Sequence, residues 1–219
     1  MKIEKEVFKK YIVDYKKLEE YGFIRSKNLY SFKCNILDNS FEVNVIIDNE
    51  CNINGKVIDL LMNEEYTNIY SQMDGLFVNK VRTEYKSVLL DIRNNCFIPR
   101  LFISNQANRI TKYIKDKYNV EPEFLFDDDS TGVFRKNISK KWFGIIMNIS
   151  YSKLDKKDGE VEVINLKIDD KKILELIKKK GYYKAYHMSK KYWITVVLDD
   201  TLDDKEVIEL VDESYGLVK

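Results

Sequence analysis

The sequence predicts an α+β protein in which antiparallel sheets are backed by helices, built as two successive units. Segments with apolar residues three or four apart alternate with runs in which apolar and polar residues alternate singly, the patterns of amphipathic helix and half-buried strand. Consecutive strand-like runs are joined by short polar turns, as in hairpins. The chain of 219 residues, 44% of them apolar, can bury two separate cores, and two prolines and eight glycines leave no Pro/Gly linker between them.

The first unit, residues 1–97, opens with "KEVFKKYIVDYKKLEEYG". Val7, Tyr11, Tyr15 and Leu18 lie at helical spacing and Gly22 sits at a C-cap position, which predicts one helix. "YSFKCNI" and "FEVNVII" alternate on either side of "LDNS", which predicts a hairpin turning at Asp38 and Asn39. A further turn is expected at Asn54-Gly55. In "FVNKVRTEYKSVLLDIRNNCF" the stripe Val81, Tyr85, Val88, Leu89 and Ile92 predicts a long helix, closing an α-β-β-(β)-α unit near Phe97.

The second unit, residues 98–219, begins with a helix capped by Ser104, with Ile103, Ala107, Ile110 and Ile114 on one stripe. Strand-like runs follow at "EFLF", "GVFRK", "KWFGIIMNIS" and "EVEVINLKI", the last two joined by the polar loop "YSKLDKKDG". "DDKKILELIKKKG" has aspartates first and lysines last, which suits a short helix and its dipole. The stretch "YYKAYHMSKKYWITVVLDD", Tyr182 to Asp200, reads as one or two strands, and "LDDKEVIELVDESYG" as a closing amphipathic helix.

Composition excludes several classes. No run approaches the roughly 18 uncharged apolar residues of a membrane span. The N-terminus scatters charges where an export signal would be apolar. Cys34, Cys51 and Cys96 are an odd set without a CxxC pair, which suits a reducing cytoplasm. With one histidine, every Ser-His-Asp or Cys-His pairing must run through His187, and no GxSxG, Walker or GxGxxG context appears, so catalysis and a bound cofactor are not expected. Aspartates cluster at Asp127 to Asp129 and at Asp199, Asp200, Asp203 and Asp204, but neither cluster has the spacing of a calcium loop. Capping and turn formation are the favoured explanation, Asp203 and Asp204 standing ahead of the last helix; no metal site is assigned, and metal binding by these aspartates is kept only as a third option that a melting shift with calcium or iron would reveal.

Net charge is +1, yet residues 133–195 hold 16 Lys/Arg against 7 Asp/Glu and residues 196–219 hold 2 against 8. The basic segment interleaves cations with aromatics. Arg135, Lys136, Lys140 and Lys141 flank Trp142, while Lys184, Lys190 and Lys191 accompany Tyr186, His187, Tyr192 and Trp193. Cations that meet phosphates beside flat side chains that stack on bases are what nucleic-acid binding requires. The same residues are equally compatible with solvated faces over a core.

The run Tyr186-His187-Met188-Ser189-Lys190-Lys191-Tyr192-Trp193, followed by "ITVVLDD" and Ser214-Tyr215, resembles the C-terminal signature of the MmcQ/YjbR family. "PEFLF", "GVFR", "KKWFGIIM" and "EVINLK" resemble successive strands of its domain, and "QAN" and the long helix before it resemble longer members with an extra N-terminal region. The resemblance implies a CyaY-like, double-wing domain in a bacterial DNA-binding protein with no catalytic residues or cofactor. Ser189 and Tyr192 depart from the family's asparagine and histidine, whereas Lys190, Lys191 and Trp193 keep its residues. The expectation is a non-catalytic, cytoplasmic DNA-binding protein that grips phosphates through Arg135, Lys136, Lys140, Lys141, Lys184, Tyr186, His187, Lys190, Lys191 and Trp193. Two alternatives stand beside it. One is a protein-interaction or regulatory adaptor with a protein partner. In the other the signature only stabilises the fold, with His187 donating to a backbone carbonyl and Trp193 packed between sheet and last helix.

Overall fold

The computed structural model describes residues 2–71, 75–126 and 129–219. The chain divides into two compact units at Arg100 and Leu101. The first contains helix α1 (Ile3–Phe8), strand β1 (Tyr11–Val13), α2 (Tyr15–Tyr21), and strands β2 (Ile24–Ser26), β3 (Leu29–Ile36), β4 (Phe41–Asp48), β5 (Ile53–Asp59) and β6 (Glu64–Glu65). A 3-10 turn at Thr67–Tyr70, the long helix α3 (Leu76–Cys96) and strand β7 (Phe97–Pro99) complete it. Strands β2 to β6 form an antiparallel sheet in sequence order.

Two expectations are corrected here. The first segment is two helices and not one, because Asp14 interrupts it. The Asp14 carboxylate accepts from the N–H groups of Lys16 and Lys17 and so starts α2 afresh, while Tyr11–Val13, aromatic and β-branched, pairs with Phe97–Pro99. Asn54-Gly55 is not a turn. It lies inside β5, and the reversal between β4 and β5 falls at 49–52, with Cys51 at φ 64°. Gly55 serves a close approach, since a Cβ there would overlap the Tyr85 hydroxyl. The expected hairpin turn holds, with Leu37, Asp38 and Asn39 all at positive φ, and Val81, Tyr85, Leu89 and Ile92 of α3 are fully buried in the core of this unit.

The second unit contains α4 (Asn105–Tyr118), β8 (Gly132–Arg135), β9 (Trp142–Ser150), a 3-10 turn (Tyr151–Lys153), β10 (Glu160–Lys167), α5 (Asp170–Leu176), β11 (Tyr182–Lys184), β12 (Trp193–Val197) and α6 (Asp204–Leu217). All sheet neighbours are antiparallel, in the order β11-β12-β10-β9-β8. "EFLF" forms no strand. Only Glu123 bridges to Val133, and Phe124, Leu125 and Phe126 are exposed, so this apolar run has no neighbouring strand to pair with. Ser104 accepts from the N–H of Ala107 and caps α4.

Helices α4 and α6 cover one face of this sheet. Ile164 and Leu166 of β10 and Ile194 and Val196 of β12 join Ile110, Ile114, Val207 and Val211 in one core. The opposite face carries a smaller cluster of Ile149, Val161, Val163 and Val197 with Tyr151, Tyr183 and Tyr186 against it. A register shift at Phe134/Arg135 places Arg135 opposite Trp142. Fully buried Ser214 stitches this shift to α6: its hydroxyl donates to the Phe143 carbonyl at 2.5 Å and accepts from the Lys167 N–H at 2.8 Å. Tyr215 stacks on Tyr118 with centroids 3.8 Å apart.

Candidate nucleic-acid interface

Both basic groups lie at one end of the second sheet. Arg135 ends β8, Trp142 begins β9, Lys167 ends β10, Lys184 ends β11 and Trp193 begins β12. The turn 136–141 and the loop 185–192 therefore leave the sheet from the same end, with β10 between them. Side chains alternate across a strand, so each residue's face follows from neighbours in the core. Phe134, Leu166 and Ile194 point to the helices, which sends Arg135, Lys167 and Trp193 to the opposite face, and Trp142 goes with its cross-strand partner Arg135.

The ten expected site residues divide by what they touch. The Arg135 guanidinium lies 5.7 Å from the Trp142 ring centroid, and its Nε is 3.3 Å from a Glu123 carboxylate oxygen. Lys136 points the other way, its Nζ 4.5 Å from the centre of the Tyr215 ring on α6. Its backbone closes the turn, with N–H donated to the Lys141 carbonyl and C=O accepting from Lys140, which takes a φ of 56°. Lys140, Lys141, Lys184 and Lys190 are exposed and form no ion pair among the described residues. Lys191 is exposed with Nζ 5.1 Å from the Tyr192 ring, whose hydroxyl holds its ammonium above the usual lysine range. It is therefore cationic at neutral pH.

The loop that carries the lysines is anchored from below. Asn165 and Thr195, both fully buried, face each other across β10 and β12. Thr195 Oγ1 accepts from the Tyr186 N–H at 2.8 Å, and Asn165 Nδ2 donates to the Tyr186 carbonyl at 2.7 Å. Tyr192 N and Trp193 N both donate to the Ser189 carbonyl, which closes the other end of the loop. His187, at φ 55°, is exposed, and its ring meets that of Tyr186 at 4.0 Å. It makes no hydrogen bond among the described residues, so the expected donation to a backbone carbonyl does not occur. Nor does Trp193 pack under the last helix, because strand alternation gives that side to Ile194 and Val196.

Lys167 was missed by sequence reading, which took "EVINLK" for structure alone. It is the cross-strand partner of Trp193 and the strand-end neighbour of the β9 start. The signal was present in the alternation, since Lys167 follows Leu166 onto the face that receives Trp193.

The aspartate clusters have structural partners. Asp203 caps α6 by accepting from the Glu206 N–H. Asp204 does not cap; it pairs with Arg109 at 2.6 Å and accepts from Gln106, while Asp200 also pairs with Arg109. Asp127 and Asp128 lie outside the described residues. Among the described residues no group of three His, Cys, Asp or Glu side chains is placed to hold a metal ion, and no helix is long and apolar enough to cross a membrane.

Residues 115–217 match the model of the YjbR family. Over 112 residues, 50% of this chain and 95% of the relative, the sequence is 32% identical to the uncharacterized protein YyaQ of Bacillus subtilis. A crystal structure of a Pseudomonas syringae protein is 34% identical, with 51% of this chain and 97% of that one covered at a TM-score of 0.49. A Deinococcus radiodurans protein with a DUF419 domain is 28% identical, with 49% and 74% covered at a TM-score of 0.39.

Proposed function

We propose, from the premise that this chain belongs to the YjbR family, that it is a non-catalytic cytoplasmic DNA-binding protein that grips phosphates with the basic loops at one end of its C-terminal sheet. The observation that carries this reading is the convergence of two loops distant in sequence. The turn 136–141, the end of β11 and the loop 185–192 bring Lys140, Lys141, Lys184, Lys190 and Lys191 to the same sheet end, none of them in an ion pair among the described residues, although Asp170 lies near enough to act on Lys191. Solvated lysines that are free of ion pairs exchange their counterions for phosphate at little desolvation cost. The three unpaired thiols at Cys34, Cys51 and Cys96 support a reducing compartment.

Binding of labelled DNA should weaken as salt rises, with a log-log slope of about −0.9 per phosphate engaged and no steeper than roughly −4.5 for these five lysines. Lys190→Glu with Lys191→Glu should abolish it while the circular dichroism spectrum is unchanged. Absence of binding at about 50 mM salt, or affinity indifferent to salt, refutes the reading.

A second reading, a protein-interaction adaptor, is favoured by one feature of the first unit. Leu61, Met62 and Leu76 are 93%, 70% and 95% exposed, in segments flanking the Phe41, Tyr66 and Phe77 ring cluster. Recovery of a defined protein partner that survives nuclease treatment, and is lost on Leu61→Lys, would favour it.

A further inference from the structure

We infer that the row Trp142–Lys167–Trp193, on the sheet face opposite the helices, is a stacking platform for single-stranded nucleic acid. The inference rests on the DNA-binding reading above and adds to it the form of the ligand and three residues that contact it. Lys167 is paired with Trp193 in the β10–β12 ladder, and Leu166 with Gly144 in the β9–β10 ladder, which puts Lys167 level with the first residues of β9. Trp142 and Trp193 are each half-buried and share this face. They stand two strands apart, about 10 Å at a strand spacing near 4.8 Å.

That gap decides between strand forms. It is about three times the 3.4 Å rise of stacked nucleotides, so two bases seated on the two indoles cannot be neighbours in a continuous stack. The strand must be opened between them, as single strands are when bases splay onto aromatic side chains. A duplex buries its base faces and offers only edges and phosphates. Lys167 is carried by β10, the strand between those that bear the two indoles, which puts a cation on the path of the backbone that would link the two bases. The planar Arg135 guanidinium, paired with Glu123, lies against Trp142 at the rim. The geometry is held rigidly: Ser214 fixes both the Lys167 backbone and the β9 irregularity beside Trp142, and Asn165 with Thr195 fixes the loop before Trp193.

The chain contains two tryptophans, both in this row, so tryptophan emission excited at a wavelength that its fifteen tyrosines do not absorb reports this site. Titration of the full chain at low salt with an oligothymidylate is expected to quench that fluorescence, whereas a duplex of equal length quenches little and binds more weakly. Trp142→Leu and Trp193→Leu should each weaken single-strand binding about tenfold. Trp142→Phe and Trp193→Phe, which keep a flat face, should retain most of it, and Lys167→Gln should weaken it severalfold with the fold intact. Single-strand binding without quenching, leucine variants that bind like the wild type, or preference for the duplex overturns the platform and leaves phosphate-directed binding standing. Absence of binding to either form overturns both.

Discussion

Thr195 and Asn165 close a ring of three hydrogen bonds around the backbone of Tyr186. Thr195 Oγ1 donates to Asn165 Oδ1 at 2.5 Å while accepting from the Tyr186 N–H, and Asn165 returns a donor to the Tyr186 carbonyl. Both side chains are fully buried on adjacent strands, so the ring holds the entrance of the lysine loop against the sheet. Thr195→Val is nearly isosteric but strands the Tyr186 N–H and an Asn165 oxygen. We expect a loss of about 1–3 kcal/mol in urea unfolding and faster amide exchange at Tyr186, with Thr195→Ser close to wild type.

Gly55 and Tyr85 make a complementary pair in the first unit. Tyr85 is fully buried, and both it and Tyr70 donate to one oxygen of the buried Glu4 carboxylate. Gly55→Ala drives a methyl into the Tyr85 hydroxyl and should cost about 1–3 kcal/mol by overpacking. Gly216→Ala, in helix α6 with open space around it, is expected to leave the melting temperature unchanged or slightly raised. Combining Gly55→Ala with Tyr85→Phe should recover part of the loss, measured as a double-mutant cycle.

Acid sensitivity should localise in part to Asp204. The hydrogen bond from Arg109 holds its carboxyl below the usual aspartate range, against some desolvation, with help from Gln106. A carboxyl that titrates lower in the folded chain adds stability above its unfolded value, near pH 4, and that stability is lost as pH falls through the folded value. Arg109 and Asp204 are partly exposed, so the contribution is below about 1 kcal/mol. Asp204→Asn should melt earlier than the wild type at pH 7, and the two melting curves should converge near pH 2, since the charge is then gone from both.

Lys140 and Lys141 should count as phosphate contacts on the second loop. Replacing both with glutamine is expected to flatten the salt dependence of DNA binding by up to about 1.8 in log-log slope, measured by anisotropy at several salt concentrations. An unchanged slope would confine the interface to the loop 185–192.

Much of the fold is legible in local pattern. The caps Ser104, Asp169 and Asp203, the hairpin at Asp38 and Asn39, and the stripes on α3 and α4 all follow from interactions within a few residues. Errors arose where a distant partner overrides local preference. Tyr11–Val13 would continue a helix if strand β7 were not there to pair with it, and Asn54-Gly55 would turn if Tyr85 did not need the space of a missing side chain. "EFLF" is strand-like in composition but finds no neighbour beyond one bridge.

For the candidate site the division is the same. The sequence by itself determined the cations, the aromatics and the loops that hold them, because these are properties of composition and short-range spacing. Only the tertiary structure decided that the two loops leave one end of one sheet, that Lys136 turns away to Tyr215, and that Lys167 stands between Trp142 and Trp193. Those relations depend on strand order and on a one-residue register shift beside Trp142. A one-residue change of register exchanges the faces of every side chain in a strand, and no residue near Trp142 in sequence specifies which face it takes; buried Ser214, on the last helix, fixes that shift from the far end of the chain.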